Sequence, residues 1–185
     1  MTKQILVIIP GLGDRKWLYS LVKPIWILLG FKTYIYKYGW NNNKCNDIDT
    51  YQNLINFIDG IKSTKICILG TSAGGTAAVN ILATRTEKIL KVITVCSPYL
   101  QVPRLDNSHI VWSISKLQLT LKNMDKPTKN KILAIYSNYD QTVPRQYRSP
   151  SNIKSKRIAA IGHNLSIIFS MTILSCYLKR FFTKQ

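Results

Sequence analysis

Six short apolar runs, each rich in β-branched residues, recur along the chain at intervals long enough to hold a helix. This alternation constrains the fold more than any other feature. The runs cover residues 4–10, 32–38, 65–70, 91–97, 131–137 and 156–162. Most are apolar at consecutive positions rather than at every second one, so both faces of each strand need cover. That is the condition of a parallel sheet held between two layers of helices. The intervening segments predict helices over 15–29, 49–60, 72–85, 108–122 and 164–182. The expected fold class is therefore α/β, a doubly wound sheet of about six mostly parallel strands flanked by helices. No repeat or linker divides the 185 residues, and residues 1–185 read as a single domain, long enough to bury about 70% of the unfolded surface.

Two helical segments have unusually wide apolar faces. The first carries Pro24 in its middle, which is expected to kink it or divide it in two. Trp17, Tyr19 and Trp26 then either line a mouth near Gly11 or pack in the core. The second runs to Phe181 and Phe182, beside Lys179 and Arg180, a combination able to touch a membrane surface as well as to pack on the sheet.

Chemistry concentrates at Gly70-Thr71-Ser72-Ala73-Gly74, a G-x-S-x-G turn with an apolar run before it and small residues that can start a helix after it. A tight strand-to-helix turn of this kind holds its serine above the sheet edge, which makes Ser72 the candidate nucleophile. A serine hydroxyl is a poor nucleophile near neutral pH. It needs an imidazole to take its proton and a carboxylate to orient that imidazole. Of the two histidines, His163 directly follows the last run and so reaches the carboxyl edge of the sheet, where Ser72 stands, whereas His109 lies near a helix start with no strand behind it. His163 is the expected base. Asp140 follows the fifth run on the same edge and is the expected acid; Asp14, Asp106 and Asp125 lie on other connections. Backbone N–H groups of Ala73, at the amino end of a helix, and Leu12, in Pro10-Gly11-Leu12-Gly13, are the candidate oxyanion donors. Gly11 and Trp17 are candidate substrate-binding residues. Gly11-Leu12-Gly13 does not read as a phosphate loop, because Lys16 stands where G-x-G-x-x-G needs its third glycine.

The net charge of +18 is the most unusual global property. It is spread over both halves, with no run of five basic residues. A lysine-rich solvated surface accounts for it, and so does attraction to an anionic membrane or an acidic substrate. Nucleic acid is not an expected partner, and the oligomeric state is left open. Cys45, Cys67, Cys96 and Cys176 show no C-x-x-C spacing and read as free, buried thiols of a reducing compartment. The apolar run 5–9 is too short for a signal-peptide core, and the stretch 165–178 is shorter than the roughly 20 residues of a membrane helix. A cytoplasmic location is the expectation.

The series Pro10-Gly11-Leu12-Gly13, Gly70-Thr71-Ser72-Ala73-Gly74, Asp140-x-x-Val143-Pro144 and Gly162-His163, in that order, resembles the α/β-hydrolase superfamily over essentially the whole chain. About thirty residues between Pro98 and Lys131 leave room for one helix and a loop but not for a large cap domain. In this the chain resembles small lidless bacterial lipases and esterases and, next to them, small serine hydrolases of the retinoblastoma-binding-protein-9 type. That lipase group usually has His-Gly where this chain has Pro10-Gly11, and is usually secreted. The resemblance implies a compact α/β-hydrolase fold and a serine hydrolase that cleaves carboxylic esters, lipid esters included, through an acyl-enzyme on Ser72, with no metal or cofactor. The same machinery on an amide or thioester is the alternative. A non-catalytic basic binding module on this fold is another.

Overall fold

The structure, a computed structural model, describes residues 3–14, 16–42, 44–63 and 65–184. The apolar runs become β1 (Gln4–Ile9), β2 (Phe31–Ile35), β3 (Ile66–Thr71), β4 (Ile89–Val95), β5 (Ile132–Tyr139) and β6 (Lys154–Ile161). All neighbours pair parallel, in the order β2-β1-β3-β4-β5-β6. The helices among the described residues are α1 (Lys16–Leu28), α2 (Asp47–Gly60), α3 (Ala73–Thr84), α4 (Ser108–Asn123), α5 (Lys126–Lys129), α6 (His163–Met171) and α7 (Ser175–Thr183). Arg15, the expected first residue of α1, lies outside the described residues.

Alternate residues of each strand feed two separate cores. Ile5, Val7 and Ile9 of β1, with Ile66 and Ile68 of β3, face the layer formed by α2, α3 and α4. Leu6 and Ile8, with Cys67 and Leu69, face α1, α6 and α7. The continuous apolar runs of the sequence have this cause: neither side of the central strands meets water. Helix starts follow their capping residues. Asn46 accepts a hydrogen bond from the Asp49 N–H at 2.8 Å, Asn107 from Ile110 at 3.2 Å and Asp125 from Thr128 at 3.1 Å, so orphan donors at three amino ends are satisfied locally.

Three expectations change. Pro24 neither divides α1 nor ends it. The carbonyl that its missing N–H would have engaged belongs to Ser20, which is exposed like Pro24 itself, so the loss falls on the solvent side. The expected helix 164–182 is instead two helices, α6 and α7, bent by 63°. At the break the Thr172 hydroxyl donates to the Ile168 carbonyl at 2.8 Å and Ser175 Oγ to the Thr172 carbonyl at 2.6 Å, side-chain bonds that compete with the helical ladder. The bend swings Phe182 inward, where it is fully buried and edge-packed against Trp26 and Phe31 at ring separations of 6.1 and 5.8 Å. Phe182 is therefore no membrane contact, and Trp26 belongs to the core rather than to a mouth near Gly11. Finally, Cys67 and Cys96 are buried, but Cys176 is exposed and Cys45 partly so. No single helix among the described residues is long and apolar enough to cross a membrane; α6 and α7 reach that length only when joined across their bend.

Candidate active site

The chain steps from β1 outward to β2, then returns past β1 to β3 and proceeds the other way. The loops leaving the carboxyl ends of β1 and β3 therefore part company, and a crevice opens between them. Ile9 pairs with Gly70, which sets the loop containing Gly11 directly beside the turn containing Ser72.

Ser72 sits at φ 51°, ψ −128°, in the left-handed half of backbone space that a residue with a side chain seldom occupies. It is held there by its N–H donating to the Val95 carbonyl at 2.8 Å and its carbonyl accepting from the Gly75 N–H at 3.0 Å. A serine at a helix start ordinarily turns its hydroxyl back onto the helix as a cap. Here it makes no such bond and points outward. The turn is tight enough that a Cβ on Gly74 would stand 2.6 Å from the Pro10 carbonyl oxygen, nearer than any carbon can approach, so the last glycine of the motif has no substitute.

His163 begins α6 immediately after β6, and Asp140 leaves the end of β5. The two loops are tied by the Gly162 N–H donating to the Tyr139 carbonyl at 2.8 Å. His163 Nδ1 lies 2.9 and 3.1 Å from the two Asp140 carboxylate oxygens, and Nε2 lies 3.0 Å from Ser72 Oγ. A carboxylate only accepts, so Nδ1 carries the proton and the Nε2 lone pair faces the serine hydroxyl. Burial by itself would raise the Asp140 carboxyl. Hydrogen bonds from His163, from the Val143 N–H and from the Thr142 N–H, with the charge of His163, outweigh it and hold Asp140 below the ordinary carboxylate value. The sequence had no means of revealing those two backbone donors.

The other residues considered for these roles are engaged elsewhere. His109 Nδ1 pairs with Asp47 at 2.6 Å, fastening α4 to the start of α2. Asp125 caps α5, and Asp106 is exposed ahead of α4. Asp14 accepts from three successive N–H groups, Tyr38 at 3.0 Å, Gly39 at 2.7 Å and Trp40 at 3.1 Å, and the Trp40 indole N–H donates to the Pro10 carbonyl at 3.0 Å. Asp14 and Trp40 thus clamp the loop after β1 to the loop after β2. Their separation of 26 residues left this clamp invisible in the sequence.

That clamped loop abuts Ser72: a Cβ on Gly11 would stand 2.7 Å from Ser72 Cβ and 3.3 Å from its Oγ. Ala73 is the first residue of α3, so its N–H has no acceptor within the helix, and the residue lines the same cavity as Ser72. Among the described residues the Leu12 N–H donates to no backbone carbonyl. A cavity of about 370 Å³ lies over these groups, lined by Gly11, Leu12, Trp17, Ser72 and His163 and closed by apolar side chains such as Ile167. Gly11 and Trp17 are thus brought to the same space as the serine, and Tyr19 joins them there while its hydroxyl meets Thr71 Oγ1 at 2.6 Å.

Cys96, behind the acid, completes a cluster with Asp140 and His163 whose ligand-capable atoms lie within 4.8 Å of one another. Burial first, then the charge and hydrogen bond of Asp140, push its thiol up to about 12. Asp140 and His163 Nδ1 already satisfy each other, so a metal held by this cluster would have to break the hydrogen bond that orients the imidazole.

No sequence profile of a known family and no curated protein matches the chain. Solved structures do. The ydeN gene product of B. subtilis superposes with a TM-score of 0.70 at 17% identity, covering 99% of this chain and 100% of its own. The monoacylglycerol lipase of Paleococcus ferrophilus gives 0.70 at 11% identity, covering 96% and 93%. A thioesterase domain from the curacin biosynthetic pathway gives 0.68 at 12% identity, covering 95% and 91%. The chain has the α/β-hydrolase fold, without a large cap domain.

Proposed function

We propose that this protein is a serine hydrolase that cleaves carboxylic esters through an acyl-enzyme on Ser72. The observation that carries the reading is the hydrogen-bonded chain from Asp140 through His163 to a serine whose backbone is turned away from ordinary geometry and whose hydroxyl is left uncapped. Strain of this kind survives where the surroundings impose it, and it aims the nucleophile. In the proposed reaction Ser72 Oγ bonds to the ester carbonyl carbon as its proton passes to His163 Nε2. The carbonyl oxygen takes up the displaced electron pair and accepts hydrogen bonds from the Ala73 and Leu12 N–H groups. The tetrahedral adduct collapses, the alkoxide leaves with the proton from His163, and water then repeats the sequence to release the acid. Asp140 stays ionised and stabilises the imidazolium. The apolar lining of the cavity suits an acyl chain or another apolar substituent rather than a charged one.

The same steps apply to a thioester or an amide, and a thioesterase domain is among the similar structures. Leaving-group preference is read from activity. The test is labelling by a fluorophosphonate probe, with the modified peptide identified by mass, beside turnover of a p-nitrophenyl ester series, a thioester and an anilide. Wild type is expected to label on Ser72 and to hydrolyse esters, with Ser72→Ala losing on the order of 10⁶-fold in kcat. Preference along the series separates esterase from lipase. A wild type that neither labels nor turns over any substrate refutes the proposal and leaves the basic binding module.

A further inference from the structure

The helices on the two sides of the sheet differ in the surface they show to solvent. On α1, Tyr19, Val22 and Trp26 face the core, yet the opposite side is apolar too. Trp17, Leu21 and Leu28 are exposed by 66, 68 and 88%. With the exposed Pro24 they fall four, three and four residues apart, which aligns them in one stripe along the helix. Leu165 at the start of α6 and Ile173 at its end, exposed by 66 and 70%, lie on the same helix layer, since α1, α6 and α7 cover one face of the sheet. The stripe is continuous with the cavity over Ser72, because Trp17 and Leu18 of α1 and Ile168 of α6 line it.

The charge of this layer is one-sided. α1, α6 and α7 contain Lys16, Lys23, Lys179 and Arg180 and no Asp or Glu. The eight carboxylates lie elsewhere or are already engaged: Asp47, Asp49 and Asp59 are on α2, Glu87 stands between α3 and β4, Asp106 and Asp125 precede α4 and α5, Asp140 is buried against His163, and Asp14, just ahead of α1, is taken up by the N–H groups of Tyr38, Gly39 and Trp40. An apolar stripe flanked by cations and free of anions is what a helix presents when it rests at a bilayer interface, its apolar side chains among the acyl chains and its lysines reaching out to headgroup phosphates. A second copy of the same face would set cation against cation.

From this we infer that the α1, α6 and α7 layer docks on an anionic lipid bilayer, with Trp17, Leu21 and Leu28 entering the interface and the mouth of the cavity turned toward it. Docking is a property of this face and does not depend on Ser72 being a nucleophile; lipid esters as the substrates delivered there do rest on that reading.

The test is co-sedimentation of the full chain with vesicles of pure phosphatidylcholine or of phosphatidylcholine mixed with phosphatidylglycerol, at low and raised salt, with tryptophan emission recorded. Trp26 and Trp40 are fully buried and Trp112 is half-buried on α4, on the other side of the sheet, so the emission is recorded on Trp112→Phe, in which a blue shift on binding reports chiefly Trp17. Wild type is expected to bind the mixed vesicles, to be released by salt and to shift. Lys16→Glu with Arg180→Glu is expected to weaken partitioning by about five-fold or more for each site. Leu21→Ser with Leu28→Ser, at positions already in solvent and so harmless to the core, is expected to abolish binding. Leu119→Ser, equally exposed but on α4, is expected to leave it unchanged. Failure of the wild type to bind mixed vesicles at low salt, equal binding by Leu21→Ser/Leu28→Ser, or a wild-type dimer dissolved by that pair without vesicle binding each overturns the inference. Fluorophosphonate labelling is read on the same samples, so loss of docking with intact labelling refutes this inference and leaves the hydrolase reading standing.

Discussion

Gly11→Ala tests the contact on which the proposed oxyanion site depends. The new Cβ would stand 2.7 Å from Ser72 Cβ and 3.1 Å from the Thr71 carbonyl oxygen. Carbon atoms settle at about 3.5–4.0 Å, so roughly 1 Å of overlap has to be relieved. Neither side yields easily: the Gly11 loop is fixed by Asp14 and Trp40, and Ser72 by its bonds to Val95 and Gly75. A displacement of that size between nucleophile and oxyanion donors costs about 100-fold in rate, or about 2.7 kcal/mol of transition-state stabilisation. Overpacking is expected to cost about 1–3 kcal/mol of stability as well. The assay is kcat/KM on p-nitrophenyl butyrate and the rate of fluorophosphonate labelling, with urea unfolding run in parallel. Gly60→Ala is the control, because a Cβ there meets nothing within 4 Å, and it is expected to leave activity unchanged. If Gly11→Ala keeps kcat/KM within about three-fold of wild type, the loop is not seated against Ser72 and the oxyanion assignment falls with it.

Asp140→Asn is expected to lower kcat by about 10⁴-fold, since an amide that donates to Nδ1 selects the wrong imidazole tautomer. The same variant tests linkage. The Asp140 carboxyl lies lower in the folded chain than its ordinary value of 3.8, so the ionised form contributes stability above that value and loses it as pH falls through the folded one. The stability difference between wild type and Asp140→Asn, measured by urea unfolding, should therefore shrink in acid. Trp40→Phe removes the indole donor to the Pro10 carbonyl and one ring of a fully buried side chain, and keeps an aromatic ring to stack on Tyr38, whose centroid lies 4.1 Å away. A loss of about 2–3 kcal/mol in stability is expected from the lost hydrogen bond and the emptied volume, with a larger effect on kcat than on KM because the proposed oxyanion loop is loosened. His109→Asn should keep full turnover on p-nitrophenyl butyrate while His163→Ala abolishes it, because His109 serves a hydrogen bond between α4 and α2. Equal losses in both would refute the assignment of the base.

The architecture and the residues that meet at the candidate site were legible in the sequence because both have short-range signatures. A strand buried on both sides must be apolar at consecutive positions, and Ile5–Ile9 and Ile66–Leu69 declare themselves without reference to their neighbours. A serine between glycines at a strand-to-helix turn is equally local, and the rule that sites gather at the carboxyl edge of a parallel sheet selects His163 over His109 from position alone. What tertiary structure decided is what depends on residues meeting across the sheet. Asp14 reads as a spare carboxylate until the turn at Tyr38–Trp40 brings three N–H groups to it. Phe182, beside its basic neighbours, reads as a surface residue as well as a core one until the bend at Thr172 delivers it to Trp26 and Phe31. An apolar residue in a helix carries the same sequence signal whether it faces the core or the solvent, and only packing assigned Trp26 inward and Leu28 outward. The sequence by itself determined the class of fold and picked out the three side chains of the proposed triad. Partner geometry over tens of residues determined how the oxyanion loop is held and which face of the molecule remains free to meet a surface.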